Sequence, residues 1–160
     1  MILSIDTCLG ASSVAILDGE RVLAARGEPM TRGHQERIGM IAREAAAEAG
    51  VAFTDLTRIG VTVGPGSFTG LRVGLAFAKG LATALSIPCV GVTTLEAMAF
   101  GVEGFVASVL DARMEQVYIQ VFAGGVALMA PDALSVGEAA ARLAELYSGG
   151  PATLVGSGSP

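Results

Sequence analysis

The feature that most constrains the fold is a glycine-rich segment that runs directly into a long apolar helix. Residues 64–74 read GPGSFTGLRVG, and a further glycine follows at position 80. In a helix interior each glycine costs about 1 kcal/mol relative to alanine, so Gly70, Gly74 and Gly80 together cost about 3 kcal/mol. Packing or binding must offset that cost. Another group therefore has to approach this backbone closely: a phosphate, a neighbouring helix or a second protein chain.

The helix that follows is predicted to have two kinds of apolar face. Ser67 is its predicted N-cap, since a serine hydroxyl can accept a hydrogen bond from a free amide of the first turn. Small side chains recur every four residues and would let another backbone come close, whereas the bulky stripe beside them suits packing on a sheet. The small stripe is Gly70, Gly74, Ala78 and Ala82, and the bulky stripe is Val73, Phe77, Leu81 and Leu85. A helix that is apolar nearly all round is buried on more than one side. We therefore expect a sheet on one side and a second helix or a second chain on the other.

The same segment has a competing interpretation as a phosphate-binding loop. Glycine-rich turns before helix N-termini bind anions through free backbone amides and the helix dipole. The segment lacks the lysine of a Walker loop and does not match the glycine spacing of a dinucleotide site. Local chemistry favours packing or an interface and leaves phosphate contact open.

Composition narrows the class of protein. At 160 residues the chain suits one ordinary domain or two small lobes. Its net charge of −5 argues against an extended nucleic-acid-binding surface of its own. Cys8 and Cys89 lie in apolar runs and are interpreted as reduced core thiols. Because no secretory signal is visible and residues 71–92 are interrupted by charges and a proline, we expect a cytoplasmic protein without a membrane span.

The periodicity of the sequence predicts two α/β lobes. The first, residues 1–103, has the order strand, strand, strand, helix, strand, helix, strand, which is the order of a ribonuclease H-like lobe. Its first helix is predicted over 34–49 and ends at Gly50, with Ile38, Ile41, Ala42, Ala45 and Ala49 on one face.

The second predicted lobe covers residues 104–160. Strands are expected at 105–110, 116–122, 126–129 and 153–155, and a helix at 135–147 begins with a capping box of Ser135 and Glu138. About sixty residues are marginal for an independent hydrophobic core. We therefore expect this lobe to pack on the first or to lack a C-terminal portion.

Few residues have a context that suits catalysis. His34 is the one histidine of the sequence, and Glu36 is too near it along a helix start to face it. We interpret His34 as a structural polar contact. No serine or cysteine lies in a recognised nucleophile motif. Asp111 and Arg113 are interpreted as a local ion pair or turn cap, and contact with a cleft is the alternative.

Five segments together resemble the TsaB (YeaZ) family, whose members help to make threonylcarbamoyladenosine beside the tRNA anticodon. The segments are IDT at 5–7, RGH at 32–34, residues 64–74, AKGLA at 78–82 and VLDAR at 109–113, in the family's order. The resemblance implies the α/β fold shared by actin, sugar kinases and heat-shock chaperones, with a ribonuclease H-like N-terminal lobe and a smaller second lobe. Family members usually continue past this chain's end, so we expect a shortened second lobe.

The resemblance also implies a scaffold without catalytic residues. The family's catalytic paralogue, TsaD, has two metal-binding histidines four residues apart after a Gly-Val segment similar to residues 91–92. Thr94 and Met98 stand at those positions here, and neither replaces a histidine ligand well. We expect no catalytic or metal-binding residue in this chain. ATP and metal are expected on partner subunits, a TsaD-like paralogue and a TsaE-like ATPase, with tRNA contacted indirectly and a homodimer formed by the isolated chain.

Two sets of candidate site residues follow from these arguments. The predicted partner interface comprises Ile38, Ile41, Gly70, Arg72, Gly74 and Ala78. If one surface serves both associations, the homodimer and the heteromer exclude each other. Asp6 and Thr7 resemble the first phosphate loop of the superfamily, whereas the simpler interpretation, which we favour, is that Asp6 caps the turn that follows it. The alternative function is therefore a stand-alone nucleotide-binding or ATP-hydrolysing protein of the same superfamily.

Overall fold

The computed structural model describes residues 1–29 and 34–158, without the side chains of residues 34–36. Arg32, Gly33 and the side chain of His34, which the motif at 32–34 singled out, lie outside the described residues. Contacts divide the chain into two compact units, Met1–Val92 and Thr93–Pro160. The division comes earlier than the lobe boundary expected at residue 103.

The first unit contains the predicted order of strands and helices. The elements are β1 (Ile2–Asp6), β2 (Ala11–Asp18), β3 (Arg21–Pro29), α1 (His34–Ala49), β4 (Arg58–Thr62), α2 (Phe68–Leu85) and β5 (Cys89–Val92). The five strands form one sheet in the order β3-β2-β1-β4-β5. β1 pairs antiparallel with β2, and β2 with β3, whereas β1–β4 and β4–β5 are parallel. This arrangement confirms the predicted ribonuclease H-like lobe.

The core of the first unit lies between the sheet and both helices. Leu3 and Ile5 on β1 are buried while Ser4 between them is exposed, as the two-residue period of a strand requires. Side chains from three strands and both helices share a single apolar cluster, so α1 and α2 lie on the same face of the sheet. The fully buried members include Leu3, Ile5, Val14, Ile16, Ile59, Ile41, Ala42, Ala45 and Ala78.

The two cysteines differ in exposure, which corrects one expectation. Cys8 is buried as predicted, but Cys89 is exposed. Cys89 begins β5, which is the last strand at one edge of the sheet. All four residues of β5 are exposed. The apolar residues around Cys89 therefore form an exposed edge strand and are not part of the core.

The second unit also contains a five-stranded sheet, with a helix on each face. Its elements are α3 (Thr94–Ala99), β6 (Phe105–Arg113), β7 (Gln116–Ala123), β8 (Val126–Ala127), β9 (Asp132–Ser135), α4 (Val136–Leu146) and β10 (Ala152–Val155). The strand order is β10-β6-β7-β8, and β9 also pairs with β7. α4 packs with Ala107 and Ile119 on one face, and α3 packs with Val106 and Phe122 on the other.

Besides a short 3-10 helix at Phe53–Asp55, α3 and β9 are the elements that the sequence patterns do not indicate. α3 groups with the second unit because Ala99 packs on Val106 and Phe122, and because the Ser108 hydroxyl donates to the Leu95 carbonyl at 2.8 Å.

Among the helices of the described residues, none is both long and apolar enough to cross a membrane.

Candidate interaction surface

The glycine-rich segment packs against the turn that follows β1. The Ser67 amide donates to the Cys8 carbonyl at 2.7 Å, and the Thr7 hydroxyl donates to the Gly70 carbonyl at 2.7 Å. A Cβ added to Gly70 would overlap the Thr7 carbonyl oxygen, and one added to Gly74 would overlap the Thr7 hydroxyl. The group that approaches this backbone is therefore the chain's own β1–β2 turn.

Most residues of the predicted partner interface are buried within the first unit, and a partner role for them stays a prediction. Gly70, Gly74 and Ala78 are buried in the first unit's own core, and Ile41 is 1% exposed. A side chain without exposed surface cannot contact a partner unless the unit rearranges. The small stripe of α2 faces inward because small residues let the helix lie close to the β1–β2 turn. Ile38 is 2% exposed, and among the six predicted interface residues Arg72 is the one with an exposed side chain.

An open groove lies between α1 and α2 and includes Arg72. Its volume is about 490 Å³. Phe68, in the first turn of α2, is 73% exposed, and the guanidinium carbon of Arg72 lies 5.5 Å from the centre of its ring. The described lining residues are Ile38, Phe68, Thr69, Arg72, Val73, Ala76 and Phe77. Phe68 and Arg72 thus place an exposed aromatic ring and a cation side by side on the surface of the first unit.

Asp6 caps the turn after β1, as the simpler interpretation predicted. Its Oδ1 accepts a hydrogen bond from the Cys8 amide at 3.0 Å and from the Thr62 hydroxyl at 2.5 Å. The Cys8 thiol donates to the Thr62 hydroxyl at 3.0 Å. Thr7 is 1% exposed, and its hydroxyl is bonded to Gly70 as described above. Both candidate nucleotide-binding side chains thus have structural roles, and nucleotide binding at Asp6 and Thr7 stays a prediction.

Asp111 caps a turn in the second unit. Its Oδ1 accepts a hydrogen bond from the Arg113 amide at 2.8 Å, at a register shift between β6 and β7. No ion pair joins Asp111 to Arg113 among the described residues. The turn-cap alternative therefore describes this pair.

Thr94 and Met98, at the positions compared with the paralogue's histidines, lie on α3. Thr94 is 2% exposed, and its hydroxyl has no hydrogen-bond partner in the described structure. Met98 is half-buried. In the described part of the chain, no three His, Cys, Asp or Glu side chains are grouped so that they could hold a metal ion.

Ion pairs fasten α1 to the edge strand β3. Arg37 bonds Glu28 through two nitrogen atoms, and Arg26 pairs with Glu44 and Glu48. The hydrogen bond from Arg37 lowers the pKa of Glu28, and the same contact raises the pKa of Arg37.

The sequence patterns did not predict these ion pairs, and they did not predict the exposure of Phe68. The available signal for Phe68 was an aromatic residue directly after the N-cap and four positions before an arginine.

The family model described as TsaD, tRNA N6-adenosine threonylcarbamoyltransferase, matches residues 27–155. The tRNA threonylcarbamoyladenosine biosynthesis protein TsaB of Escherichia coli strain K12 is 38% identical over 122 residues, which are 73% of this chain and 52% of the relative. The chain belongs to the TsaB/YeaZ family. TsaB of Bacillus subtilis strain 168 is 34% identical over 124 residues, 76% of this chain and 54% of the relative. The chain spans about half the length of these TsaB relatives.

Solved structures agree with the TsaB/YeaZ assignment. An uncharacterized Pseudomonas aeruginosa protein with similarity to peptidase YeaZ is 32% identical, with a TM-score of 0.77 over 84% of this chain and 66% of that one. The ROK hexokinase of Thermus thermophilus is 21% identical, with a TM-score of 0.52 over 81% of this chain and 48% of that one. The hexokinase likeness concerns the fold alone. The expected sugar-kinase-like α/β fold is confirmed.

Proposed function

We propose that this chain is a non-catalytic partner subunit in the formation of threonylcarbamoyladenosine in tRNA, and that it pairs with a TsaD-like catalytic paralogue. The observation that carries the proposal is the α1–α2 groove, where Phe68 is 73% exposed. Burying such a ring against a partner removes a large apolar surface from water. Membership of the TsaB/YeaZ family supports the pathway, since the E. coli and B. subtilis relatives are named for it.

In this proposal the reactive groups belong to other subunits. The TsaD-like paralogue and a TsaE-like ATPase hold metal and ATP, and tRNA is contacted indirectly. The burial of Thr94 on α3 supports this division, because a buried hydroxyl at that position is a poor replacement for a histidine ligand.

We place the chain in the cytoplasm, where tRNA is modified. In isolation it forms a homodimer through the same groove, so the homodimer and the heteromer exclude each other.

The binding test replaces the exposed ring of the groove. Phe68→Asp should weaken association with the TsaD-like paralogue of the same organism about 30-fold, since interface anchor residues contribute about 2 kcal/mol or more. Phe100→Asp is the matched control, because Phe100 is 90% exposed but lies in the second unit. Light scattering after size exclusion measures the complexes, and circular dichroism verifies folding. A folded Phe68→Asp protein that binds the paralogue as tightly as Phe100→Asp would contradict the proposal.

A cellular measurement tests the pathway separately. Depletion of the protein should lower the threonylcarbamoyladenosine content of tRNA, as measured by mass spectrometry of hydrolysed tRNA. Wild-type protein and Phe100→Asp should restore the nucleoside, and Phe68→Asp should not. An unchanged nucleoside content after depletion would overturn the assignment to this pathway.

A further inference from the structure

The hairpin between β6 and β7 presents one methionine side chain to solvent. Met114, at the tip of this hairpin, is 94% exposed. The other methionines whose exposure the structure describes are at most 39% exposed, and they are Met1, Met40, Met98 and Met129. Met114 is also absent from the apolar clusters of the second unit. Among these methionines it is therefore the one most accessible to a reagent in solution.

Contacts on both sides of Met114 hold the hairpin tip in this position. The Arg113 amide donates to Asp111 Oδ1 at 2.8 Å, and the Val136 amide donates to the Glu115 carbonyl at 3.2 Å. Residues 113–115 all have a positive φ, between 52° and 66°. Residues other than glycine rarely adopt this left-handed conformation. The exposure of Met114 is therefore a feature of an anchored turn.

An exposed thioether suits one kind of chemical modification. Hydrogen peroxide oxidises methionine to the sulfoxide: the sulfur gains one oxygen atom, the O–O bond breaks, and the other oxygen leaves as water. The sulfoxide is polar, so it disrupts packing where a methionine is buried. At the tip of the β6–β7 hairpin the new oxygen meets solvent and displaces no apolar contact of the core.

We infer that Met114 is a site of reversible oxidation that the folded protein tolerates. Peroxide converts its thioether to the sulfoxide, and a methionine sulfoxide reductase restores it; the oxygen leaves as water while a dithiol becomes a disulfide. Met129 provides the contrast, because it packs against the apolar cluster that contains Ile119 and Val121. Oxidation there places a polar oxygen against the core. This inference is independent of the proposed function, since it involves neither α1 nor α2.

Timed exposure of the folded protein to hydrogen peroxide, followed by peptide mapping with mass spectrometry, tests the inference. Met114 should be oxidised about tenfold faster than Met98 and Met129, since susceptibility follows exposure. In urea the three rates should converge, because the unfolded chain exposes all three side chains. Met114→Leu should remove the fast reaction, and the reductase with a thiol reductant should remove the added oxygen. Oxidation of Met98 or Met129 as fast as that of Met114 in the folded protein overturns the inference, as does a sulfoxide at 114 that the reductase cannot remove.

Glutamine substitutions test the tolerance separately. Met114→Gln introduces a polar unbranched side chain and should change the midpoint of thermal unfolding by less than about 2 °C, as expected at an exposed position. Met129→Gln is the matched control and should lower the midpoint by about 4 °C or more, because it places an amide against the apolar cluster. Circular dichroism measures both midpoints. If Met114→Gln lowers the midpoint as much as Met129→Gln does, the tip supports the fold and the inference is wrong.

Discussion

Thr7 is the residue around which the glycine-rich segment is arranged. Its buried hydroxyl donates to the Gly70 carbonyl at 2.7 Å, and Gly74 lies directly against it. The glycines that suggested a phosphate or a partner chain are therefore explained by packing within the first unit. Because Gly70 and Gly74 have no Cβ, α2 can lie close to Thr7. The Thr7 hydroxyl then reaches the Gly70 carbonyl. This is why the helix tolerates glycine at positions 70 and 74.

Alanine substitutions distinguish the two kinds of glycine in α2. Gly74→Ala should destabilise the protein by about 1–2 kcal/mol, because overpacking against Thr7 costs about 1–3 kcal/mol and exceeds the gain in helix propensity. Gly80→Ala is the matched control, because a Cβ there meets nothing within 4 Å. It should stabilise the protein by up to about 1 kcal/mol. Urea unfolding measures both changes. A Gly74→Ala protein as stable as Gly80→Ala would contradict this account.

At the scale of elements, α4 shows how local side chains fix a helix start. The Glu138 amide donates to the Ser135 hydroxyl at 3.3 Å, while the Ser135 amide donates to Glu138 Oε2 at 2.9 Å. The Ser135 hydroxyl also donates to that carboxylate at 2.6 Å. Both hydrogen bonds from Ser135 lower the pKa of Glu138, and the bond from the hydroxyl has a larger effect than the bond from the backbone amide. The capping box predicted from the sequence is therefore present in full.

The lowered pKa of Glu138 predicts a pH-dependent contribution to stability. Since the carboxylate is favoured in the folded state, its contribution should be complete above the ordinary pKa of 4.5 and should be lost as pH falls through the lowered folded value. The stability difference between wild type and Glu138→Gln should therefore be larger at neutral pH than in acid. Thermal unfolding followed by circular dichroism at several pH values measures it. In a Ser135→Ala background the pH dependence should shrink, and an unchanged dependence there would contradict the capping-box explanation.

α2 is the element that links packing to the proposed interaction. Its small residues, Gly70, Gly74 and Ala78, face the core, which leaves Phe68 and Arg72 on the groove side. Residues four apart lie on the same helix face, so Phe68 and Arg72 form one patch. The inward orientation of the small stripe thus determines which surface remains for a partner.

At the scale of the whole molecule, each unit has its own core. The large apolar cluster draws all its members from the first unit, and the two smaller clusters draw theirs from the second. A unit whose buried side chains contact each other has the means to fold without the rest of the chain. The expectation that the smaller second lobe would need support from the first follows from its size and remains a prediction.

A fragment experiment tests this organisation. Residues 1–92 alone should fold and unfold cooperatively, because the cluster that includes Leu3, Ile41 and Ile59 is complete within them. Residues 93–160 should be less stable, since a core of this size is marginal. Circular dichroism and thermal unfolding of the two fragments measure the difference. A fragment 1–92 without a cooperative transition would contradict the independence of its core.

The sequence by itself determined the order of the elements and many of their ends. α1 spans His34–Ala49 as its periodicity predicted, Ser67 and Ser135 are the N-caps, and Gly50 has the positive φ of a helix-ending glycine. These features depend on residues within about one or two helical turns of each other. The motif resemblance likewise depended on contiguous residues and identified the family. Two short elements, α3 and β9, were missed, and the six residues of α3 are too few to show a helical period.

Only the tertiary structure decided which group each face meets. The contact between Thr7 and Gly70 joins residues 63 positions apart, and no local pattern specifies such a pair. The inward turn of Gly70, Gly74 and Ala78, the exposure of Cys89 on an edge strand and the groove beside Phe68 all depend on contacts of this kind. Periodicity and caps are local properties of the chain, whereas burial is a property of the packed unit. The glycines therefore predicted that something approaches the helix, and packing determined that it is the chain's own first turn.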